Sequence, residues 1–122
     1  ITMKTPIPAI EKVIAEKAKT TEENINIRLF WAYKHSLEAG NDLINFYDII
    51  WEGDIEGIVK NLNYYKINEF SISSNFSGLI TILAAFDKYG FTMVGITDAK
   101  ETYIDLTTNG RTVSKAIRMV RK

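Results

Sequence analysis

Four short polar residues lie where a predicted strand gives way to a predicted helix, and they form the best candidate binding site in the sequence. They are Ser73, Ser74, Asn75 and Ser77, followed by Gly78. A helix N-terminus presents free N–H groups and partial positive charge, which suits a phosphate or carboxylate group. Ser and Asn are also the ordinary helix caps, and the chain has no glycine-rich phosphate motif. The junction therefore predicts either capping alone or an anionic ligand near Ser74 and Ser77.

The chain is poor in residues on which catalysis and metal binding usually depend. It has no cysteine and one histidine, which excludes thiol catalysis, disulfides, zinc–thiolate sites and multi-histidine metal sites. The histidine, His35, follows Lys34 on a predicted helix, and the nucleophile motif G-x-S-x-G is missing, so we expect an exposed surface residue. We predict no catalytic residue, no metal and no cofactor, and we lean against an enzyme.

Carboxylates are concentrated between Ser36 and Val59, a stretch without lysine or arginine. They are Glu38, Asp42, Asp48, Glu52, Asp54 and Glu56. Such a cluster can coordinate Mg²⁺ or Ca²⁺, or imitate a phosphate backbone. The chain as a whole is neutral, with 15 basic and 15 acidic residues, and the EF-hand pattern is missing. We therefore expect a solvated acidic face.

Basic residues outnumber acidic ones near the C-terminus, where residues 91–122 carry six of them against three. A basic hairpin can lie on nucleic acid, but lysine and arginine on edge strands also prevent edge-to-edge pairing. Only Phe91 and Tyr103 are available there to stack on bases. We therefore predict no tight binding of DNA or RNA. The longest apolar run, residues 79–86, is too short to span a bilayer, and no leader is recognisable, so we expect a cytoplasmic protein.

Helical spacing of apolar residues predicts four helices. The first starts near Pro8, and the second runs from a capping box at Thr20 and Glu23 to Ala39, where Gly40 ends it. The third is capped by Asp54 and buries Ile55, Ile58, Val59 and Leu62. The fourth extends from Asn75 to Tyr89, is apolar nearly all round and ends at Gly90.

Alternating and β-prone segments predict the strands. Residues 68–73 and 91–96 flank the fourth helix, which indicates a parallel pair with a right-handed crossover. Asn109 and Gly110 indicate a hairpin that returns over residues 112–120. Residues 43–51 fit either a short buried strand or a helical turn capped by Asn45. We predict one α+β domain over residues 1–122, with N-terminal helices, a mixed sheet of three to five strands and helices mainly on one face.

A small apolar facet lies on the polar side of the second helix. Ile27 and Trp31 are four residues apart and therefore adjacent on the helix surface. Either the first helix covers them through Ile10, Val13 and Ile14, or the facet meets a partner or a second copy of the chain. Tryptophan is a frequent anchor of protein contacts.

Three stretches of the chain resemble a family of small uncharacterised proteins. The first is the run from Glu69 to Gly90. The second begins at Ala39–Asp42 and continues into Asp48–Trp51 and Asp54–Ile55, and the third is Ala116–Met119. The family is associated with anaerobic Gram-positive bacteria and their conjugative or plasmid-like elements. The resemblance covers most of the chain after residue 20 and implies a bacterial intracellular protein of mobile-element origin. It implies no activity and no site residues.

Two classes of function follow from the sequence. The first is a small non-catalytic interaction or regulatory protein with an unknown protein partner or self-association. The second is a small-molecule or nucleotide-binding protein that uses the junction from Ser73 to Gly78. A pocket beside the junction favours the second class, and a flat, fully bonded junction favours the first.

Overall fold

The structure is a computed structural model that describes residues 26–74, 76–105 and 110–122, with Ile27, residues 102–105 and Arg111 described for their backbone only. Its elements are α1 (Ile27–Ala39), β1 (Asn45–Phe46), a 3-10 turn (Glu52–Asp54), α2 (Ile55–Tyr64), β2 (Glu69–Ile72), α3 (Leu79–Lys88), β3 (Phe91–Asp105) and β4 (Gly110–Arg121). The first predicted helix, near Pro8, lies outside the described residues.

The four strands form one mixed sheet in the order β1-β2-β4-β3. β1 and β2 are parallel, and β4 is antiparallel to both β2 and β3. The predicted α+β class and mixed sheet are therefore confirmed. The predicted parallel pair of β2 and β3 is right in direction, since both are antiparallel to β4, but wrong as a hydrogen-bonded pair, because β4 returns from the hairpin and lies between them. The hydrogen-bonded parallel pair is instead β1 and β2, which α2 connects.

A cluster of aromatic rings joins the sheet to the helices. The Phe70 ring lies 5.4 Å from that of Phe46, 4.9 Å from that of Phe86 and 5.3 Å from that of Phe91, measured between centroids. All three described helices contribute buried side chains to the same apolar core, among them Leu29, Ile58 and Phe86. Burial of this apolar surface is the main force that holds the layers together.

Helix α1 begins later than predicted. The side-chain oxygen of Asn26 accepts hydrogen bonds from the N–H groups of Arg28 and Leu29, and the ψ angle of Asn26, 132°, is not helical. A helix running continuously from Thr20 is therefore wrong, although Thr20 and Glu23 themselves lie outside the described residues. The predicted end is confirmed, because Gly40 adopts a φ of 77° and its N–H bonds to the Leu37 carbonyl.

Helix α2 buries the predicted face, but its start differs. Ile55, Ile58, Val59 and Leu62 are all buried. Asp54 occupies the cap position without a side-chain cap bond, since its carboxylate lies 3.5 Å from the guanidinium of Arg28. Gly57 lets α1 approach α2, because a Cβ there would lie 3.0 Å from the Asn26 side chain.

Helix α3 is shorter and more exposed than predicted. It begins at Leu79 rather than Asn75, with Gly78 at the cap position. Only Ile82 and Phe86 are fully buried, and Ile80 is 81% exposed. The prediction of a helix buried nearly all round is wrong, because the core takes only one of its faces. The predicted end is confirmed by Gly90, which has a φ of 97°.

The C-terminal hairpin is confirmed and longer than predicted. β3 runs from Phe91 to Asp105, so the strand predicted over residues 91–96 continues into the hairpin. Register shifts occur between Met93 and Gly95 and between Lys100 and Ile104. Asp105 pairs with Gly110, and the turn between them lies outside the described residues.

Asn45 connects three elements through a buried polar cluster. Its N–H donates to the Ser36 hydroxyl of α1 over 2.8 Å. Its side-chain oxygen accepts from the Ser71 hydroxyl of β2, and its amide nitrogen donates to the Ser73 hydroxyl, both at 2.8 Å. Of the two alternatives for residues 43–51, the structure shows the strand, although it has only two residues. Asn45 does not cap a helical turn.

We expect Asn45→Ala to lower the free energy of unfolding by about 2–3 kcal/mol, because the Ser71 and Ser73 hydroxyls would lose their partner. Urea unfolding followed by circular dichroism measures this change. Ser77→Ala at an exposed position is the control and should change stability by less than about 0.5 kcal/mol. An effect of Asn45→Ala no larger than that of the control would contradict this account.

Candidate binding surface around two tryptophans

The segment that follows β1 crosses the surface in an irregular conformation. Phe46 and Ile50 are buried, with 2% and 1% of their surface exposed. Ile49, which lies between them, is 39% exposed, and Trp51, which follows Ile50, is 61% exposed. Phe46 is fixed by its pairing with Ile72, and Ile50 is fixed in the core. These two anchors hold the residues around them at the surface.

A groove of about 460 Å³ lies between α1 and this segment. Its lining is formed by Arg28, Trp31, Ala32, His35, Phe46, Tyr47, Asp48 and Ile50. We call it the Trp31 groove. Ala32, Phe46 and Ile50 are buried residues, so the groove has an apolar base.

Aromatic rings form a continuous side of the Trp31 groove. The centroid of the His35 ring is 4.4 Å from that of Tyr47 and 6.0 Å from that of Trp31, which in turn contacts Phe30 at 5.2 Å. His35 is only partly exposed and stacks in this row. The predicted surface position of His35 on the helix is therefore only partly exposed, because Tyr47, which follows β1, lies against the ring.

Charged groups surround the aromatic row. The guanidinium of Arg28 lies 3.4 Å from the Asp48 carboxylate and 3.5 Å from that of Asp54. The Lys34 ammonium lies 5.5 Å from the centroid of the Trp31 ring, within reach of a cation–π contact. Both of these cations therefore already have an attractive partner.

The pKa of Tyr47 is raised above its usual value. The largest cause is removal of the phenol from water, and the negative charge of Asp48 and then of Glu38 adds to it. Arg28 opposes the shift. The phenol is therefore neutral at physiological pH, which suits a binding surface rather than an anionic catalytic group.

A second groove of about 320 Å³ adjoins the same segment. Its lining is formed by Ile49, Ile50, Trp51, Glu52, Phe76, Ser77, Gly78, Thr81 and Ile82. We call it the Trp51 groove, and Ile50 lines both grooves. The two grooves, with the exposed side chains of Trp31, Ile49 and Trp51, make up what we call the tryptophan surface.

The serine-rich junction is divided by the structure. The Ser73 hydroxyl bonds to Asn45, and the N–H groups of Ser73 and Ser74 donate to the Phe46 carbonyl at 3.0 and 3.3 Å. Asn75 lies outside the described residues. Ser77 and Gly78 line the Trp51 groove, where the charged neighbour is the acidic Glu52. A groove beside the junction is the feature expected of a small-molecule site, but its charged lining residue, Glu52, would repel an anion. An anionic ligand near Ser74 and Ser77 stays a prediction.

Of the two residues in the predicted apolar facet of α1, the structure describes the side chain of one, and the facet stays a prediction. Trp31 is 42% exposed and lines the first groove, and the side chain of Ile27 is outside the described part. The sequence predicted Trp31 and the junction as separate sites and did not predict that the segment from Tyr47 to Trp51 lies between them. The available signal was the concentration of aromatic and aliphatic residues in that segment, Tyr47, Ile49, Ile50 and Trp51.

The C-terminal arginines are occupied by other parts of the chain. Arg118 bonds through Nε and Nη2 to one oxygen of the buried Glu69 carboxylate, at 3.0 and 2.7 Å. Arg121 donates to Asn63 and Asn68 and lies 4.6 Å from the Phe91 ring centroid. Their substitution would therefore test stability rather than nucleic-acid binding.

The described residues contain no group of three or more histidine or acidic side chains that could hold a metal ion. Among the helices of the described part, none has both the length and the apolarity needed to cross a membrane. The acidic residues of the stretch from Ser36 to Val59 are spread over α1, the loop before β1, the tryptophan surface, the 3-10 turn and the start of α2.

These observations define a small α+β domain with a two-groove apolar surface. The family described as a domain of unknown function, DUF7698, matches residues 28–121, and the chain belongs to that family. No curated protein and no solved structure matches the chain. The match spans all the described elements except the first residue of α1, so the tryptophan surface lies within the family domain.

We expect Trp31→Ala to leave the protein folded and to lower its unfolding free energy by about 1 kcal/mol, because a large part of the ring is in water. Leu29→Ala on the buried face of α1 should cost about 2–5 kcal/mol. Urea unfolding of the two variants gives the comparison. Equal losses would mean that the Trp31 side chain is as well packed as the core.

We expect the raised pKa of Tyr47 to make stability fall at alkaline pH. The folded protein retains the phenol proton more tightly than the unfolded chain does. The stability that this proton contributes to the fold is therefore complete below the unfolded pKa of about 10, and it is lost as the pH rises through the higher folded pKa. Between neutral and alkaline pH, the free energy of unfolding should fall less for the Tyr47→Phe variant than for the wild type. Parallel urea unfolding series across that range would show the difference, and identical series would contradict it.

Proposed function

We propose that this protein is a non-catalytic interaction protein and that its tryptophan surface takes an apolar segment of a partner protein. The observation that carries the proposal is the placement of the two tryptophans. The chain has only two, and they are 42% and 61% exposed beside two grooves that share Ile50. Exposed apolar surface is unfavourable in water, so a contiguous patch of this kind marks interaction sites.

The chemistry of the grooves supports a partner rather than a reaction. The Trp31 groove combines aromatic side chains with a single histidine, and the Trp51 groove is formed mainly by aliphatic and aromatic side chains. Tryptophan and tyrosine provide a large contact area with few rotatable bonds, and they are enriched among residues that dominate protein interfaces. An interacting segment would bury both rings at once.

The resemblance to proteins of anaerobic Gram-positive bacteria supports a bacterial, cytoplasmic setting and a mobile-element origin as further parts of this proposal. A regulatory role would then be carried out by binding alone. The partner is a protein encoded by the same host or element.

We expect affinity capture from the native host to recover at least one protein with the wild-type chain that is lost, by tenfold or more, with Trp51→Ala and with Trp31→Ala. Tyr64→Ala is the matched control, since Tyr64 is an aromatic residue 58% exposed at the C-terminal end of α2. Quantitative mass spectrometry of the captured proteins measures the difference. Equal recovery with all four chains would contradict the proposal, as would a wild-type dimer in light scattering that Trp51→Ala dissociates.

A further inference from the structure

The carboxylates around the tryptophan surface indicate what kind of segment it binds. We infer that the partner segment is basic and amphipathic, with apolar side chains for the two grooves and lysine or arginine beside them. This inference rests on the proposed function and specifies its partner. It follows from the charges that border the grooves and from the way the grooves adjoin.

Acidic groups border both grooves. Asp48 lines the Trp31 groove with a side chain 60% exposed, and the exposed Glu52 lines the Trp51 groove. Asp54 lies one residue beyond Gly53 with its side chain 27% exposed, and Glu38 is close enough to Tyr47 to act on its pKa. Four carboxylates therefore contribute negative charge to the tryptophan surface.

The neighbouring cations do not cancel this charge. Arg28 lies against Asp48 and Asp54 together, and Lys34 lies over the Trp31 ring. Among the residues that the structure describes, these two positive charges face four negative ones, so this part of the surface is net negative although the chain is neutral. Lys34 also shows that the Trp31 ring attracts an ammonium group, an interaction that a lysine or arginine of the partner can repeat.

The arrangement of the grooves indicates one continuous segment. Ile50 lines both grooves, so side chains from a single short element can enter them side by side. Apolar residues at positions i and i+4 or i+7 of a helix project from one face in this way. Basic residues on the flanks of that face would meet Asp48 on one side and Glu52 on the other.

Electrostatics also disfavour a second copy of this chain as the occupant. In a two-fold contact the same patch faces itself, so two surfaces that each carry an excess of carboxylates would be brought together. Burying like charges against each other is costly. The surface is therefore complementary to a basic segment and not to itself.

The experiment is selection of a random peptide library against the full chain, followed by affinity measurement for the selected peptides. We expect the selected sequences to combine aliphatic or aromatic residues with an excess of lysine and arginine over acidic residues. Binding should be lost in Trp51→Ala and retained in the control Tyr64→Ala. Glu52→Lys should weaken it by about tenfold at low salt, and the difference should shrink in high salt. Asp42→Lys, which reverses one charge outside both grooves, should not weaken it.

The outcomes separate the two proposals. Selected peptides that depend on Trp51 but are acidic or neutral contradict the inference and leave the proposed function intact. A library that gives no binder sensitive to Trp51→Ala or Trp31→Ala contradicts both. A peptide that binds Glu52→Lys as tightly as the wild type also contradicts the inference, because its basic residues would then not meet this surface.

Quenching of tryptophan fluorescence tests the charge of the surface without any partner, because both tryptophans of the chain lie on it. Relative to a free tryptophan amide, we expect caesium ions to quench the protein more efficiently than iodide does. A preference for iodide would overturn the inference. Shielding of both rings from neutral acrylamide would also overturn it, since residues 1–25 or a second copy would then cover the surface.

Discussion

The hydrogen bonds of Asn45 are the interactions on which the arrangement of this fold depends. β1 has only two residues, so its backbone pairing with β2 is too short to fix the strand. The side chain of Asn45 adds bonds to Ser71 and Ser73, and its N–H adds one to Ser36 of α1. A buried asparagine is costly unless it is satisfied, and this one is satisfied from both neighbouring elements at once.

The position of the tryptophan surface follows from this constraint. Because Asn45 fixes β1 against both α1 and β2, Phe46 and Ile50 enter the core at fixed places, and the residues around them remain outside. The same strand brings Tyr47 against His35, which completes the aromatic side of the Trp31 groove. The binding surface is thus a consequence of how a two-residue strand is held, and a slip of that strand would remove it.

Local signals in the sequence predicted several elements correctly. Gly40 and Gly90 end their helices because glycine accepts a positive φ, and the apolar face of α2 follows from spacing alone. The hairpin formed by β3 and β4 was also predictable, from the adjacent Asn109 and Gly110. The parallel pairing of Asn45 with Ser71 was not, since residues 26 positions apart meet only after the sheet has assembled. The start of α3 at Leu79 and the insertion of β4 between β2 and β3 depend on the same assembly.

The charge of the candidate site was predictable in part. The carboxylates between Ser36 and Val59 predicted a solvated acidic face although the chain has 15 basic and 15 acidic residues, but not that this face borders two exposed tryptophans. The structure separates the charges, because Arg118 is held by the buried Glu69, and Lys115 and Lys122 lie 2.7 Å from Asp98 and Asp87. Around the two tryptophans the acids exceed the bases that neighbour them. The net charge of the whole chain is therefore a poor guide to the charge of any one surface. The charge that a partner meets depends on which side chains are already paired with each other in the fold.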